Sequence, residues 1–335
     1  MGAPASGEFD LIARYFAPIA AAFPGALGLK DDAAIFDPPA GSRLVVTADA
    51  MVAGVHFMAD DPPDLIARKL MRVNLSDLAA KGATPYACLM TICLPPIYLP
   101  GGTEEGWIAA FAQGLAADAS EYAFPLAGGD TTRTPGPLTL SLTAVGLAPM
   151  GRAPLLRSGA QAGDLVFVTG TIGDAHLGLA VQQGEFAALA PQHRAALIER
   201  YRLPQPRVAF GQALAAVPGV HAAADVSDGL VADLGHICAA SGLAARLQAD
   251  QLPLSAAAEA VMAMADLGPR LLSGGDDYEI VFTAAPAAEP ALRALASDQG
   301  LRLTAIGRVV DGQGVTVLDE AGGIISLLQK GYRHF

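Results

Sequence analysis

Six short segments of this chain set aspartate beside glycine or another small residue. They are Lys30-Asp31-Asp32-Ala33, Thr47-Ala48-Asp49, Asn74-Leu75-Ser76-Asp77, Gly128-Gly129-Asp130-Thr131-Thr132, Asp225-Val226-Ser227-Asp228-Gly229 and Gly274-Gly275-Asp276-Asp277. An unpaired buried carboxylate is costly, so a fold that gathers such segments needs a cation among them. No cluster of histidine and cysteine accompanies them. Hard oxygen donors without soft partners point to Mg²⁺, which keeps waters and substrate phosphates in its shell. The pattern predicts a metal-dependent enzyme of phosphate chemistry.

Charge sharpens that reading. The formal net charge is −12 and there is no run of lysine or arginine, which argues against nucleic acid as a partner. An anionic protein that handles anionic ligands needs bound cations, and much of the negative charge is expected in the metal site. The three cysteines, Cys88, Cys93 and Cys238, form no Cys-x-x-Cys pair, and an odd number does not suit a disulfide framework. A reducing, cytoplasmic setting is expected. No stretch is long and apolar enough to predict a membrane span.

A length of 335 residues is long for one core, so two domains are expected. The segment 149–163, with Pro149, Gly151, Pro154, Gly159 and Gly163, is the boundary candidate, which gives domains 1–150 and 151–335. Helical spacing of Phe9, Ile12, Tyr15, Phe16, Ile19 and Phe23 predicts a helix over 8–23. Strands are predicted at 44–48, 87–94 and 138–147, and helices at 62–81 and 104–120. In the second half, strands are predicted at 165–169, 278–283, 303–309 and 315–318. Helices are expected at 173–183, 229–241 and 287–298, with two more between 184 and 216. Strands and helices mix in both halves, so the fold class is α/β or α+β.

Several aspartates can be weighed individually. Ile66, Leu70 and Val73 form a row on the predicted helix that continues to Asp77, which therefore faces the interior or a cleft. A capping role suits it poorly, because the helix dipole disfavours an anion in the last turn. Asp49 is predicted to end a strand, where α/β folds place catalytic carboxylates, although alone it reads as a turn residue. In Gly128-Gly129-Asp130 the glycines let backbone N–H groups approach an anion, and Asp130 can hold a metal. Ser227 or Asp228 opens a helix as its cap, and a helix N-terminus equally suits a phosphate. There is no Walker-type phosphate loop and no protein-kinase catalytic loop. His176, His193, His221 and His236 share no ligand spacing and read as structural. His56, beside the acidic loop, is the better candidate for touching a substrate. No histidine or cysteine stands in the acidic segments as a nucleophile, so direct in-line transfer is expected. The tail Lys330-Gly331-Tyr332-Arg333-His334-Phe335 is aromatic enough to predict docking near the site rather than fraying.

Taken together, these motifs resemble a known family. Val73-Asn74-Leu75-Ser76-Asp77-Leu78-Ala79-Ala80, Gly128-Gly129-Asp130-Thr131-Thr132-Arg133, Val226-Ser227-Asp228-Gly229-Leu230 and Ser273-Gly274-Gly275-Asp276-Asp277-Tyr278-Glu279 are similar to those of the thiamine-monophosphate kinases. So are Gly7-Glu8-Phe9, Val52-Ala53-Gly54-Val55-His56-Phe57 and Lys330-Gly331-Tyr332. The resemblance runs along essentially the whole chain, in order. It implies the two-domain aminoimidazole-ribonucleotide-synthetase-like fold: an N-terminal domain that binds ATP and Mg²⁺ and gives strands to a dimer β-barrel, and a C-terminal α/β domain. It implies ATP-dependent, Mg²⁺-assisted phosphorylation of thiamine monophosphate to the diphosphate by a homodimer.

By the same resemblance, Asp32, Thr47, Asp49, Asp77, Asp130, Asp225 and Asp228 are expected at Mg²⁺, with transfer centred on Asp49, Asp77 and Asp130. Gly129, Asp130, Arg157 and Ser227 are expected at ATP, and His56, Asp276 and Tyr332 at the substrate. The chain departs from the family pattern at Lys30, where glycine is usual, at Ala48, where threonine is usual, and at Asp276, where glutamate is common. Two alternatives stay open at this point: a non-catalytic Mg²⁺- and nucleotide-binding regulatory dimer, and another ATP-dependent synthetase of the same fold.

Overall fold

The computed structural model describes residues 7–95, 103–265, 267–327 and 331–332. The chain divides into two compact units, Met1–Leu78 with Thr84–Ala153, and Ala79–Ala83 with Pro154–Phe335.

The first unit opens with helical turns rather than one regular helix: α1 (Glu8–Leu11), a π-helical turn over Ile12–Phe16, and α2 (Ala17–Ala20). The wide turn ends two residues before Pro18, whose ring has no N–H to give to a regular helix. Behind these lie β1 (Ser42–Val52), α3 (Pro63–Ala80), β2 (Thr84–Leu94), α4 (Glu104–Glu121), β3 (Leu126–Arg133) and β4 (Thr139–Pro149). The sheet order is β1-β4-β2-β3. β4 pairs antiparallel with β1 and β2, and β3 runs parallel to β2. β1 is longer than its sequence pattern predicts, so Asp49 stands inside the strand and not at its end. β3 was unexpected from its Gly-Gly-Asp sequence. It can pair so closely because a Cβ at Gly129 would come within 1.9 Å of the Met90 carbonyl oxygen.

α3 is buried almost all round, with Ile66, Leu70, Met71, Leu75 and Leu78 each at most 2% exposed. A buried ion cluster joins it to α4. Arg72 donates to Asp118 at 2.6 and 3.0 Å, and Arg68 donates to the same carboxylate at 2.7 Å. Both arginines also reach Glu121.

The second unit is a six-stranded sheet of order β10-β7-β9-β5-β8-β6. Its elements are β5 (Leu165–Thr169), α5 (Asp174–Gln182), α6 (Pro191–Arg202), α7 (Val208–Leu214), β6 (Val220–Asp225), α8 (Leu230–Ser241) and β7 (Ala244–Gln248). There follow α9 (Ala256–Met262), α10 (Gly268–Ser273), β8 (Ile280–Ala284), α11 (Glu289–Asp298), β9 (Leu303–Val310) and β10 (Gly314–Leu318). All pairs are antiparallel except β10 with β7. β5 and β8 are buried along their whole length, which is why both read as continuous apolar runs. Val166 and Val168 pack with Leu230, Leu234 and Ile237 of α8 on one face. Leu165 and Phe167 pack with Phe210, Phe282 and Leu292 on the other. β6, β7, α9 and α10 had no clear sequence signal; β6 and β7 are short and alanine-rich, with little side-chain pattern to read.

Removing the Asp118 carboxylate would leave Arg72 charged and buried. Asp118→Ala is expected to lower the free energy of unfolding by about 3–5 kcal/mol, measured by urea denaturation.

Candidate active site

In the first unit, β1 and α3 meet through polar side chains. Strand alternation sends Thr47 and Asp49 to the same face, and helical spacing puts Asn74 and Asp77 on one side of α3. Thr47 Oγ1 donates to Asp77 Oδ2 at 2.5 Å. The Asp49 N–H donates to Asn74 Oδ1 at 3.2 Å, and Asn74 Nδ2 donates to the Leu70 carbonyl at 2.9 Å. The fully buried Asn74 thus fixes how β1 lies on the helix. Thr47, Asp49 and Asp77, all half-buried, are thus brought together where β1 lies on α3.

The other carboxylates of this unit lie elsewhere. Asp31, Asp32 and Asp130 line a cleft of about 680 Å³ together with Gly128, Gly129, Thr91, Ser141 and Thr143. Phe9, Ile12, Phe16 and Phe36 give it an apolar wall. Thr47 and Asp49 are in register with Ala144 and Leu142, which alternate along β4 with the cleft residues Ser141 and Thr143. Directly opposed residues of a pair share a face, so the Thr47–Asp49–Asp77 cluster and the cleft lie on opposite faces of the sheet.

In the second unit, backbone bonds hold three predicted segments together. The N–H of Asp276 donates to the Ser227 carbonyl at 2.8 Å, and that of Tyr278 to the Val226 carbonyl at 2.8 Å. The N–H of Tyr332 donates to the Asp228 carbonyl at 3.0 Å. The contact is tight: a Cβ at Gly275 would come within 2.5 Å of the Ser227 carbonyl oxygen. Asp225, Ser227, Asp228, Asp276 and Tyr332 are therefore gathered in one place. The tail at Tyr332 comes back to the Asp-Val-Ser-Asp turn; Lys330, Arg333, His334 and Phe335 lie outside the described residues.

Asp276 and Tyr278 adopt φ values of +71° and +50°, the left-handed region that ordinary side chains avoid. Two buried acids on either side of Tyr278 restrain this loop. Asp277 accepts from the N–H groups of Gly173 and Ala175 at the start of α5, at 2.7 and 3.3 Å. Glu279 accepts from Arg207 at 2.7 and 2.5 Å, from Arg200 at 3.0 Å and from Thr169 at 2.7 Å. Of the Asp276-Asp277 pair, the second is thus structural.

Asp233 and His236 were not singled out as site residues from sequence. Ligand atoms of Asp228, Asp233 and His236 lie within 4.8 Å of one another. The buried Asp233 accepts from the N–H groups of Asp228 and Gly229 at 3.0 and 3.1 Å. Burial, then the neighbouring Asp228, push its carboxyl up to about 7, while Arg157 pulls it down. The available signal was spacing: Asp233 and His236 are three apart on α8, so they share a helix face.

These units have known counterparts. Residues 30–148 match the N-terminal domain of the AIR synthase related proteins, and residues 161–320 match their C-terminal domain. The chain is accordingly built as a two-domain AIR synthase related protein. The thiamine-monophosphate kinase of Caulobacter vibrioides is 45% identical over 318 residues, covering 92% of this chain and 86% of the relative. The crystal structure of thiamine-monophosphate kinase from Stenotrophomonas maltophilia K279a matches with a TM-score of 0.80 at 44% identity, covering 91% of this chain and 96% of that one. AaThiL complexed with AMPPCP and TMP matches with a TM-score of 0.76 at 29% identity, covering 98% and 97%. The chain belongs to the thiamine-monophosphate kinase family.

The acids around Tyr278 give a pH signature. Burial pushes the Asp277 carboxyl up to about 8. A group whose folded pKa lies above its unfolded value makes the protein lose stability as pH rises between the two. Asp277→Asn cannot ionise. Its stability relative to the wild type is expected to rise between roughly pH 5 and pH 8, followed by urea denaturation across that range.

Proposed function

We propose that this chain transfers the γ-phosphoryl group of ATP to the phosphate of thiamine monophosphate, releasing thiamine diphosphate and ADP. The observation that carries the proposal is the Thr47–Asp49–Asp77 cluster, in a chain aligned almost end to end with thiamine-monophosphate kinases. AaThiL in complex with AMPPCP and TMP, an ATP-like ligand beside TMP, supports the same pair of substrates.

Donor and acceptor are both anions, so repulsion is the obstacle, and positioning plus electrostatics carries most of such catalysis. The cluster fits a hard divalent cation, because its donors are carboxylate and hydroxyl oxygens held against one another. Bound Mg²⁺ would neutralise and align phosphate oxygens there. In our reading Asp32, Thr47, Asp49, Asp77, Asp130, Asp225 and Asp228 supply oxygens to several Mg²⁺ ions, not to one. Gly129, Asp130, Arg157 and Ser227 are assigned to the nucleotide. The apolar wall and carboxylate rim of the 680 Å³ cleft suit a flat base with a charged tail. His56, Asp276 and Tyr332 contact thiamine monophosphate, with the half-exposed Tyr332 ring offering a π-face to the cationic thiazolium. The acceptor phosphate is already ionised near neutral pH, so no general base is assigned and transfer is direct and in line.

We further read the protein as a homodimer. β1 ends its sheet, and its outward face carries Leu44 and Val46, 46% and 59% exposed, beside the exposed Ala48 and Ala50. An open apolar edge strand is a template for pairing with another chain, and a second copy would cover it. The free thiols of Cys88, Cys93 and Cys238 support a reducing, cytoplasmic setting. Among the described residues, no helix is long and apolar enough to cross a membrane.

A coupled assay of ADP formation tests the activity. ADP is expected only when ATP, Mg²⁺ and thiamine monophosphate are all present, and chelation should abolish it. ATP turnover indifferent to thiamine monophosphate, or binding without turnover, would overturn the proposal. Asp77→Asn is expected to lower turnover by roughly 10³ with the fold intact by circular dichroism.

Sedimentation tests the assembly. The wild type is expected to run as a dimer and Leu44→Lys/Val46→Lys as a monomer.

A further inference from the structure

Lysine is among the residues least often found inside a protein, because a withdrawn ammonium must meet acceptors. Lys69 on α3 is only 2% exposed. Its Nζ donates to the carbonyl oxygen of His56 at 2.9 Å.

The segment carrying His56 is closely tied. It leaves β1 and turns at once, with the N–H groups of Val55 and His56 both donating to the Val52 carbonyl at 3.0 Å. Gly54 N–H bonds the Phe57 carbonyl at 2.8 Å, and Phe57 is driven into the core at 1% exposure. Beyond it, the Met58 N–H donates to Asp61 Oδ2 at 2.9 Å. The imidazole is tied as well: the Val52 N–H donates to His56 Nδ1 at 3.0 Å. A ring nitrogen that accepts an N–H carries no proton, so the neutral ring holds its proton on Nε2. His56 therefore presents a hydrogen-bond donor, and the peptide that sets its direction is held by Lys69.

We infer that Lys69 is a positioning residue for thiamine monophosphate recognition. Its ammonium fixes the His56 carbonyl and, with the Val52–Nδ1 bond, holds the imidazole as an Nε2–H donor toward the acceptor-rich phosphate of that substrate. This rests on the proposal that His56 touches thiamine monophosphate. Lys69 touches neither substrate; it acts through the backbone and tautomer of its neighbour. Asn74 shows the same logic five residues further along α3, where a buried polar side chain orients Asp49 by holding its backbone.

The experiment compares wild type, Lys69→Met, His56→Ala and the double variant. It reads KM for thiamine monophosphate, KM for ATP and Tm, together with the tautomer of ¹⁵N-labelled His56 by NMR. Lys69→Met is expected to raise KM for thiamine monophosphate roughly 5- to 30-fold and leave KM for ATP within about twofold. The double variant should be no worse than His56→Ala, because both act through one contact. Wild-type His56 should carry its proton on Nε2, with the Nδ1 tautomer appearing in Lys69→Met. If His56→Ala leaves the thiamine monophosphate KM unchanged, the underlying substrate contact is refuted. If His56→Ala raises it and Lys69→Met does not, or Lys69→Met shifts both KM values equally, the positioning role alone is refuted. Should Lys69→Met fail to fold, Lys69→Gln, whose uncharged amide ends one bond short of the lysine ammonium and loses the 2.9 Å bond to the His56 carbonyl, takes its place with the same expected split. A wild-type His56 protonated on Nδ1 would overturn the inference whatever the variants do.

Discussion

Crowded carboxylates are the constraint on which the arrangement rests. Each needs either a counter-charge or a row of N–H donors, and the protein gives its aspartates and glutamates different answers. Asp118 and Glu279 are each clasped by two arginines. Asp277 and Asp233 are satisfied by backbone N–H groups. Asp77 is held by a hydroxyl, and Asp49 through its own backbone. The first two solutions consume the carboxylate in structure. The third fixes position through uncharged groups, a hydroxyl and a side-chain amide.

The same division explains why so few residues define the second site. Arg200 and Arg207 anchor Glu279, and the start of α5 anchors Asp277. Between and before these anchors the chain adopts two left-handed conformations that isolated residues would not keep. The strained turn is pressed onto the Asp225–Asp228 segment, and the returning tail is bonded to it at Tyr332. Stability sits in buried acid–arginine contacts, and geometry is delivered to the exposed turn they support.

Buried polar side chains recur in this role. Asn74 and Lys69, both on α3, hold backbone groups of β1 and of the loop after it. On α3, which also buries Arg72 and Ser76, two interior polar positions orient its neighbours. This costs desolvation, which only pays where position matters more than packing.

The sequence alone determined the class of chemistry and much of the framework. Hard oxygen donors with no soft partners predict phosphate chemistry and, in our proposal, Mg²⁺, and apolar runs at 165–169 and 280–284 mark central strands wherever they come to lie. Asp77 was legible as an inward-facing carboxylate because helical periodicity is local. Tertiary structure decided everything that depends on partners distant in sequence. It made a strand of Gly128-Gly129-Asp130 by pairing it with β2, and put Asp130 and Asp49 on opposite faces of the sheet. It turned Asp277 into a structural acid while leaving Asp276 in the turn, although the two are adjacent. It drew Asp233 and His236 to Asp228, and placed Lys69 beneath His56. Residue type sets what a side chain can do, but its burial and its partners arise only when remote segments pack together, and no local pattern carries that information.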